Sequence, residues 1–425
     1  MNMAMTMQDR ASRLPALRRR AIFTLAVSQM VGWGTTLYLP SIIGSRMGAD
    51  LGLSSETVFG GISLMLVSGA FAAPRIGEAH DRFGAWKLMI AGSFVLALAL
   101  VILGLSQGLT SYAAAWALIG LAMPMVLATG AYTAITQIDA AGARRIITIM
   151  TFFTGVTSTI FWPLIAWLEH LVGWRDTCLI FAASHIVICL PLHYFVLPRR
   201  QTYEHATLDE PDELARGVVP QDRRAASQLL LMFVFACQSF VSWGLIVHMI
   251  DMLKGVGLPA AIAVTVASIK GPCQVSARVG EMVFGSRYPA TRTGLVAIAL
   301  LGVAIAPLLV FTDGSIVAAI CFSVAYGISD GLMTLARPAI PLGLYGREGY
   351  GAIVGRLSRP QNLVSAAAPI VYAAMIARLG VVPTLWLSLA GALLALAGMI
   401  ALLRMVSPSR SNTKKNVIIS LANKS

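Results

Sequence analysis

The sequence is poor in charge. Only 12% of its 425 residues are charged, whereas 57% are hydrophobic, and about a quarter of the residues in a typical soluble domain are charged. A soluble fold cannot bury that much apolar surface, but a lipid bilayer covers it. The composition excludes a disordered chain and an ordinary soluble enzyme, and it favours a protein embedded in a membrane.

Several chemical signatures are also missing. The chain has no Walker A pattern, no glycine-rich dinucleotide loop after a strand, and no HExxH or GxSxG sequence. Its five cysteines form no CxxC pair, so neither a disulfide framework nor a zinc site is indicated. We expect no enzymatic activity and no cofactor or metal, and we expect any transport to be driven by an ion gradient rather than by ATP.

Long apolar runs fill most of the chain, and many are close to the roughly 20 residues that a helix needs to cross a bilayer. The pattern predicts an all-α membrane protein with twelve transmembrane helices. The predicted spans are 21–45, 57–74, 88–105, 113–135, 146–168, 177–197, 228–250, 260–284, 293–311, 315–336, 361–377 and 383–403.

The basic residues are distributed unevenly. Most of the 32 Lys and Arg residues fall in the two tails and in connections that follow even-numbered spans, if Arg278 is counted with the loop it adjoins. The exceptions are Arg46, Arg175, Lys254, Arg378 and, within a span, Lys270. The positive-inside rule therefore predicts a multi-pass protein of a bacterial-type inner (plasma) membrane with both termini in the cytoplasm. The net charge of +13 then reflects topology and attraction to lipid head groups, not nucleic-acid binding.

The spans divide into two groups of six. The predicted organisation is a cytoplasmic N-terminal tail (1–20), a first half (21–197), a cytoplasmic linker rich in both charges (198–227), a second half (228–403) and a cytoplasmic C-terminal tail (404–425). We expect a monomer.

Short sequence matches recur between the halves at similar offsets. They are Trp33-Gly34 with Trp243-Gly244, the RIGE sequence at 75–78 with the RVGE sequence at 278–281, and Pro163 with Pro369. Two parallel six-helix repeats with a binding site between them near the midplane are typical of transporters.

The connection after span two contains Gly77, Asp81, Arg82 and Gly84 in the pattern G-x-x-x-D-R-x-G. It resembles the signature loop of the major facilitator superfamily, although residues 85–86 (Ala-Trp) stand where basic residues are usual. The resemblance covers essentially the whole chain. It implies a twelve-helix fold that moves a small molecule by alternating access.

The resemblance also implies a role for this loop. In the family it latches the cytoplasmic ends of the two halves, and here that role falls on Asp81, Arg82 and Gly77. Gly77 and Gly84 are expected to allow tight turns. The alternative is a charged loop that only obeys the positive-inside rule.

Ionisable residues inside spans are costly and are therefore functional candidates. Lys270, followed by Gly271-Pro272, is interpreted as an anion-binding or proton-linked cation, or as a structural partner of Asp330. Asp330 carries the coupling proton or makes a polar contact between helices. His185 is a possible proton carrier, although a lone histidine in a helix is more often a packing residue.

Spans one and seven line the central cavity in this family, and the resemblance makes their polar and aromatic residues cavity candidates. These are Gln29, Trp33 and Thr36 in span one and Gln238 and Trp243 in span seven.

Cysteines beside glutamines extend this set. Cys237 adjoins Gln238, and Cys273 adjoins Gln274. Thiolates suit soft metal ions, whereas the alternative treats both cysteines as small apolar packing residues.

The segments 28–38, 271–278 and 350–357 resemble bacterial members near the monocarboxylate-porter and arsenite-efflux branches. Two transport functions remain open: proton-coupled efflux of a small solute, with trivalent arsenic or antimony as a named case, and proton-linked movement of a small carboxylate, which Lys270 favours. Antiport and symport are both open. A third alternative is a transporter-like sensor that binds a ligand without moving it.

Overall fold

The computed structural model describes residues 7–138, 143–198, 219–284, 288–346 and 350–406, and within these ranges the regular elements are all helical. The helices of the first half are α1 (Met7–Gly34), α2 (Pro40–Leu51), α3 (Ser55–Phe83), α4 (Ala85–Gly104), α5 (Leu109–Val126), α6 (Ala128–Ile138) and α7 (Ala143–Ser184). Those of the second half are α8 (Gln221–Gly255), α9 (Ala260–Ser268), α10 (Lys270–Phe284), α11 (Ala290–Val310), α12 (Ile316–Tyr345), α13 (Tyr350–Leu379) and α14 (Val381–Val406).

The helices follow the predicted spans with four departures, one of which is the division of span four (113–135) between α5 and α6 at Leu127. Nine helical stretches in the described ranges are long and apolar enough to cross a membrane. One of them, 149–196, contains predicted spans five and six, which meet at Gly173, where the backbone has φ 79°. Span one is divided between α1 and α2 and span eight between α9 and α10, because both helices break in mid-span.

The break in span one has a local cause. The Thr35 and Thr36 hydroxyls donate to backbone carbonyls one turn back, at Val31 (2.8 Å) and Gly32 (2.6 Å), a contact that bends helices. Pro40 then occupies the first turn of α2, where its missing N–H costs nothing. The predicted continuous helix 21–45 is therefore wrong between residues 35 and 39.

Pro272 causes the break in span eight. Pro272 has no N–H to donate to the carbonyl of Ser268, four residues earlier. That carbonyl instead accepts a hydrogen bond of 2.8 Å from the Thr159 hydroxyl on α7. The contact joins the two halves and places Lys270 in the first turn of α10.

The predicted tails and linker begin and end differently from the helices. Residues 7–20 belong to α1, and α8 begins at Gln221 rather than at residue 228. Residues 199–218 of the linker lie outside the described residues.

The repeated Trp-Gly pair has a packing role in both halves. A Cβ atom on Gly34 would collide with the ring of Phe161 on α7, and one on Gly244 would collide with the ring of Tyr372 on α13. Each glycine lets an aromatic ring lie against the helix backbone. The sequence repeat therefore corresponds to a repeated structural contact.

Contacts between the halves close one end of the bundle. Arg20 on α1 and Arg223 on α8 mark the end that holds the chain termini. At the opposite end, the Ser41 hydroxyl donates to the carbonyl of Val247 (2.7 Å), and the rings of Phe59 and His248 lie 4.0 Å apart. We call these two ends the termini end and the far end.

An ion pair also supports the closure of the far end. Arg378 on α13 lies 3.3 Å from the carboxylate of Glu56 at the start of α3. The far end is therefore closed by contacts between the halves.

Candidate functional site

A cavity of about 350 Å³ lies between the halves near the middle of the bundle. The first half contributes residues of α1, α6, α7 and the broken segment 35–39, and the second half contributes residues of α8, α10 and α12. The volume is at the lower end of the range for small-molecule sites. The breaks in spans one and eight thus lie beside the cavity, where irregular backbone at membrane depth is expected.

A buried ion pair forms the centre of the cavity. The ammonium of Lys270 lies 2.7 Å from Oδ2 of Asp330, and the Gln274 amide donates to the same oxygen at 2.8 Å. The Lys270 side chain is 1% exposed and that of Asp330 is 26% exposed. The ammonium also lies 5.0 Å from the centre of the Tyr326 ring, within range of a cation–π contact. Asp330 is therefore the partner that solutes in the cavity can reach most directly.

Two arginines that the sequence analysis did not single out also line the cavity. Arg278 donates to the carbonyl of Thr151 on α7 and to the hydroxyl of Thr334 (3.2 Å). Arg337 donates to Oε1 of Gln238 at 2.7 Å. Among the described residues, neither guanidinium forms an ion pair with a carboxylate.

The lining is therefore electropositive. Its charged side chains in the described ranges are Lys270, Arg278, Arg337 and Asp330, which are three cations and one carboxylate. Uncompensated positive charge in an enclosed, low-dielectric space attracts anions strongly.

The first half supplies a wall without charge. Gln29 donates to the carbonyl of Val126 at 2.6 Å, and Trp33 and Tyr38 line the cavity beside it. Tyr38 packs edge-on against Trp162 with ring centres 5.3 Å apart. These residues shape the space but offer no ionic partner to a solute.

A second cavity of about 320 Å³ adjoins the first and shares Trp33, Trp243 and Arg337 with it. It continues along 69–73 of α3 and 361–365 of α13, on the side of the termini end. The two cavities together extend from the middle of the bundle toward the termini end, whereas the far end is closed.

The sequence-predicted residues fall into two groups. Six of them line the first cavity: Gln29, Trp33, Trp243, Lys270, Gln274 and Asp330. Gln238 contacts it through Arg337 and donates to Ser242 at 2.9 Å.

Four other predicted residues do not line this cavity. Thr36 is buried, and its hydroxyl donates to the carbonyl of Gly32 on α1. His185 is buried at 2.9 Å from the Thr35 hydroxyl. Cys237 packs against an apolar cluster, and Cys273 lies beside Gly327 where α10 meets α12. These positions are typical of packing between helices.

The signature loop is mostly helix. Gly77 continues α3, so the turn expected there is absent, whereas Gly84 breaks the chain with φ 89°. The Gln137 amide spans this break: it donates to the carbonyl of His80 (3.0 Å) and accepts from the N–H of Ala85 (2.8 Å).

The structure does not test the predicted latch role of the charged residues in the signature loop. Arg82 is exposed and lies over the ring of Phe83 at 5.1 Å. The side chain of Asp81 lies outside the described part of the chain. The latch stays a prediction.

Comparison with known proteins places this architecture. A bacterial homologue of the human lysosomal transporter Spinster, in an inward-facing, unoccupied conformation, aligns over 93% of this chain and 99% of its own with a TM-score of 0.65 and 14% identity. A mutant of the nucleoside transporter NupG aligns over 92% of this chain and 99% of its own with a TM-score of 0.68 and 14% identity. These likenesses concern the fold.

Comparison of the sequence itself is also informative. No curated protein sequence matches this chain. The sequence model of the Major Facilitator Superfamily matches residues 21–358, which is most of the chain. The protein therefore belongs to the Major Facilitator Superfamily, and it is a multi-pass membrane transporter of a small molecule and not an enzyme.

Proposed function

We propose that the protein carries a small carboxylate together with protons across the plasma membrane by alternating access. The observation that carries this proposal is the charge of the central cavity, where three cations face one carboxylate. An anionic solute gains from that excess, whereas a neutral solute does not. Alternating access follows from the rocking of two similar halves about a central site.

The Lys270–Asp330 pair supplies the coupling. An incoming carboxylate competes with Asp330 for the Lys270 ammonium, 2.7 Å away. An ionised Asp330 that has lost its cation in an enclosed cavity is costly, and protonation removes that cost. Binding of substrate and binding of a proton are then linked through one ion pair.

Orientation is the second part of the proposal. The positive-inside rule puts both termini in the cytoplasm, so the termini end, toward which the cavities extend, faces the cytoplasm. Reporter fusions at the C-terminus and within 198–227 test this directly; an external signal from either contradicts it.

Efflux of a soft metalloid has less support. Thiols are the side chains such an ion requires, and neither Cys237 nor Cys273 is among the residues that line the cavity. Resistance to arsenite in a sensitised host that depends on either cysteine would restore this alternative.

The experiment is uptake by purified protein in liposomes with an imposed proton gradient, using labelled butanoate and butanedioate. We expect gradient-driven accumulation by the wild type. Asp330→Asn imitates a permanently protonated acid, so it should retain exchange but lose accumulation about tenfold or more, as expected when one partner of a buried charge pair is removed.

The matched control is Asp313→Asn, since Asp313 is exposed between α11 and α12. It should accumulate substrate as the wild type does. The proposal fails if neither carboxylate is carried, and the coupling role of Asp330 fails if Asp330→Asn still accumulates substrate.

A further inference from the structure

Arg337 has an unusual position for a charged residue of a membrane helix. It lies on α12 and lines both the central cavity and the adjoining cavity toward the termini end. Its partner is a neutral amide oxygen, Oε1 of Gln238, at 2.7 Å. Its Nε is buried and has no hydrogen-bond partner among the described residues. A guanidinium held this way retains its full charge and part of its donor capacity.

Arg278 also has a buried Nε with no hydrogen-bond partner among the described residues, but the rest of its guanidinium is held differently. Its guanidinium donates to the carbonyl of Thr151 and to the hydroxyl of Thr334, on two different helices. Those contacts fix it between α7 and α12. Arg337 donates to one acceptor among the described residues, Oε1 of Gln238. Its other N–H groups can therefore donate to a solute.

The spacing along α12 separates two cationic centres. Asp330, which holds Lys270, lies seven residues before Arg337. Seven residues are about two helical turns, so both side chains project from similar faces about 10 Å apart along the axis. The same wall therefore carries one cationic centre at Lys270 and a second at Arg337.

We infer that Arg337 binds a second carboxylate and that the substrate is a dicarboxylate whose two groups contact Lys270 and Arg337. The inference rests on the proposed function. In the empty cavity three cations face one carboxylate. Once substrate binding has led to protonation of Asp330, a dianion offsets two of the three cations whereas a monoanion offsets one. The planar guanidinium of arginine suits two parallel hydrogen bonds to one carboxylate.

The length of the substrate follows from the same geometry. The Lys270 ammonium lies beside Asp330, which is about two helical turns along α12 from the backbone of Arg337, and the long Arg337 side chain can shorten that separation. A chain of four or five carbons carries two carboxylates far enough apart to reach both. A phosphate monoester bears its two charges on one phosphorus atom and cannot contact both centres.

The test compares transport of butanoate and butanedioate in the same liposomes, so that the amount of folded protein cancels in the ratio. The wild type should favour butanedioate by about tenfold or more in kcat/KM, the scale of one added charged contact. Arg337→Gln should reduce that ratio toward one, because it removes the partner of the second carboxylate and so lowers butanedioate transport more than butanoate transport. Arg337→Lys, which keeps the charge, should restore part of the ratio.

The matched control is Arg292→Gln, since Arg292 is exposed at the start of α11; its ratio should equal that of the wild type. A wild type that prefers butanoate overturns the inference, as does an Arg337→Gln ratio equal to that of the wild type. Stronger competition by a phosphate monoester than by butanedioate overturns the spacing argument. Failure to carry either carboxylate defeats the proposed function instead, which keeps the two failures apart.

Discussion

The two halves carry the same R-x-G-E motif but use its arginine differently. Arg75 in the first half is exposed near the end of α3. Its counterpart Arg278 is 4% exposed, lines the central cavity and bonds across to α7. Repeated sequence therefore produced repeated helices without repeated chemistry.

The same contrast extends over the whole cavity. Its charged side chains, in the described ranges, all lie on α10 and α12 of the second half, whereas the first half contributes amide, hydroxyl, aromatic and apolar groups. Neighbouring helices of one half move together when the halves rock. In this arrangement the second half holds an anion by charge, and the first half forms a neutral wall that opens and closes the site.

The largest effect is expected at Lys270. Lys270→Met keeps the length of the side chain but removes its charge, which leaves Asp330 without its cation. Loss of one partner of a buried ion pair costs several kcal/mol, so carboxylate transport should fall about a hundredfold or more.

Lys254→Met is the control for that change, because Lys254 is exposed and pairs with Asp251 at 3.0 Å outside the cavity. Transport rates in liposomes, normalised to the reconstituted protein, compare the two. Equal transport rates in both variants would contradict the proposal that the second half holds an anion by charge.

How far the sequence alone predicts this site depends on the residue. Lys270 and Asp330 could be identified because each is an ionisable group in the middle of an apolar run, and their similar depth indicated proximity. The fold could be predicted too, because apolar runs of spanning length recur twelve times along the chain and basic residues concentrate in alternate connections. Their functional roles stay predictions.

Arg337 was missed for a specific reason. Span ten was predicted to end at residue 336, before two prolines, whereas α12 continues through Pro338 and Pro341 to Tyr345. Neighbouring helices in a membrane protein tolerate such prolines. Arg278 lies inside predicted span eight, 260–284, which ends at the same residue as α10, but it was counted with the adjoining loop when the charges were placed.

Contacts between the halves could not be predicted at all. The bond from Thr159 to the carbonyl of Ser268 joins residues that are far apart in sequence. It depends on how α7 packs against α9, and no local pattern encodes that packing.

The next largest effect should separate the two arginines of the repeated motif. Arg278→Gln removes one of three cavity cations and its bond to α7, so transport should fall about thirtyfold, equivalent to roughly 2 kcal/mol. Arg75→Gln alters an exposed residue and should change transport less than threefold. The two variants are measured side by side for uptake and for melting temperature in detergent. Equal losses of uptake would break the contrast between the halves.

The smallest effect should come from two amides that face each other across the cavity. Gln274→Leu removes the second hydrogen bond to Asp330 and should lower transport about tenfold, since a bond to a charged group contributes about 1.5–3 kcal/mol. Gln29→Leu removes a bond to the carbonyl of Val126, which contacts no charge, and should lower it a few-fold. A greater loss in Gln29→Leu would move recognition to the first half.

Selection of an anion by the positive charge of the second half can be measured directly by comparing charged substrates with neutral ones. Exchange of butanoate and of butanedioate is compared with exchange of their neutral amides, which have nearly the same shape, in liposomes that contain the wild-type protein. The account predicts that at least one carboxylate exchanges about tenfold faster than its amide or more. Amides that exchange as fast as the carboxylates would contradict it.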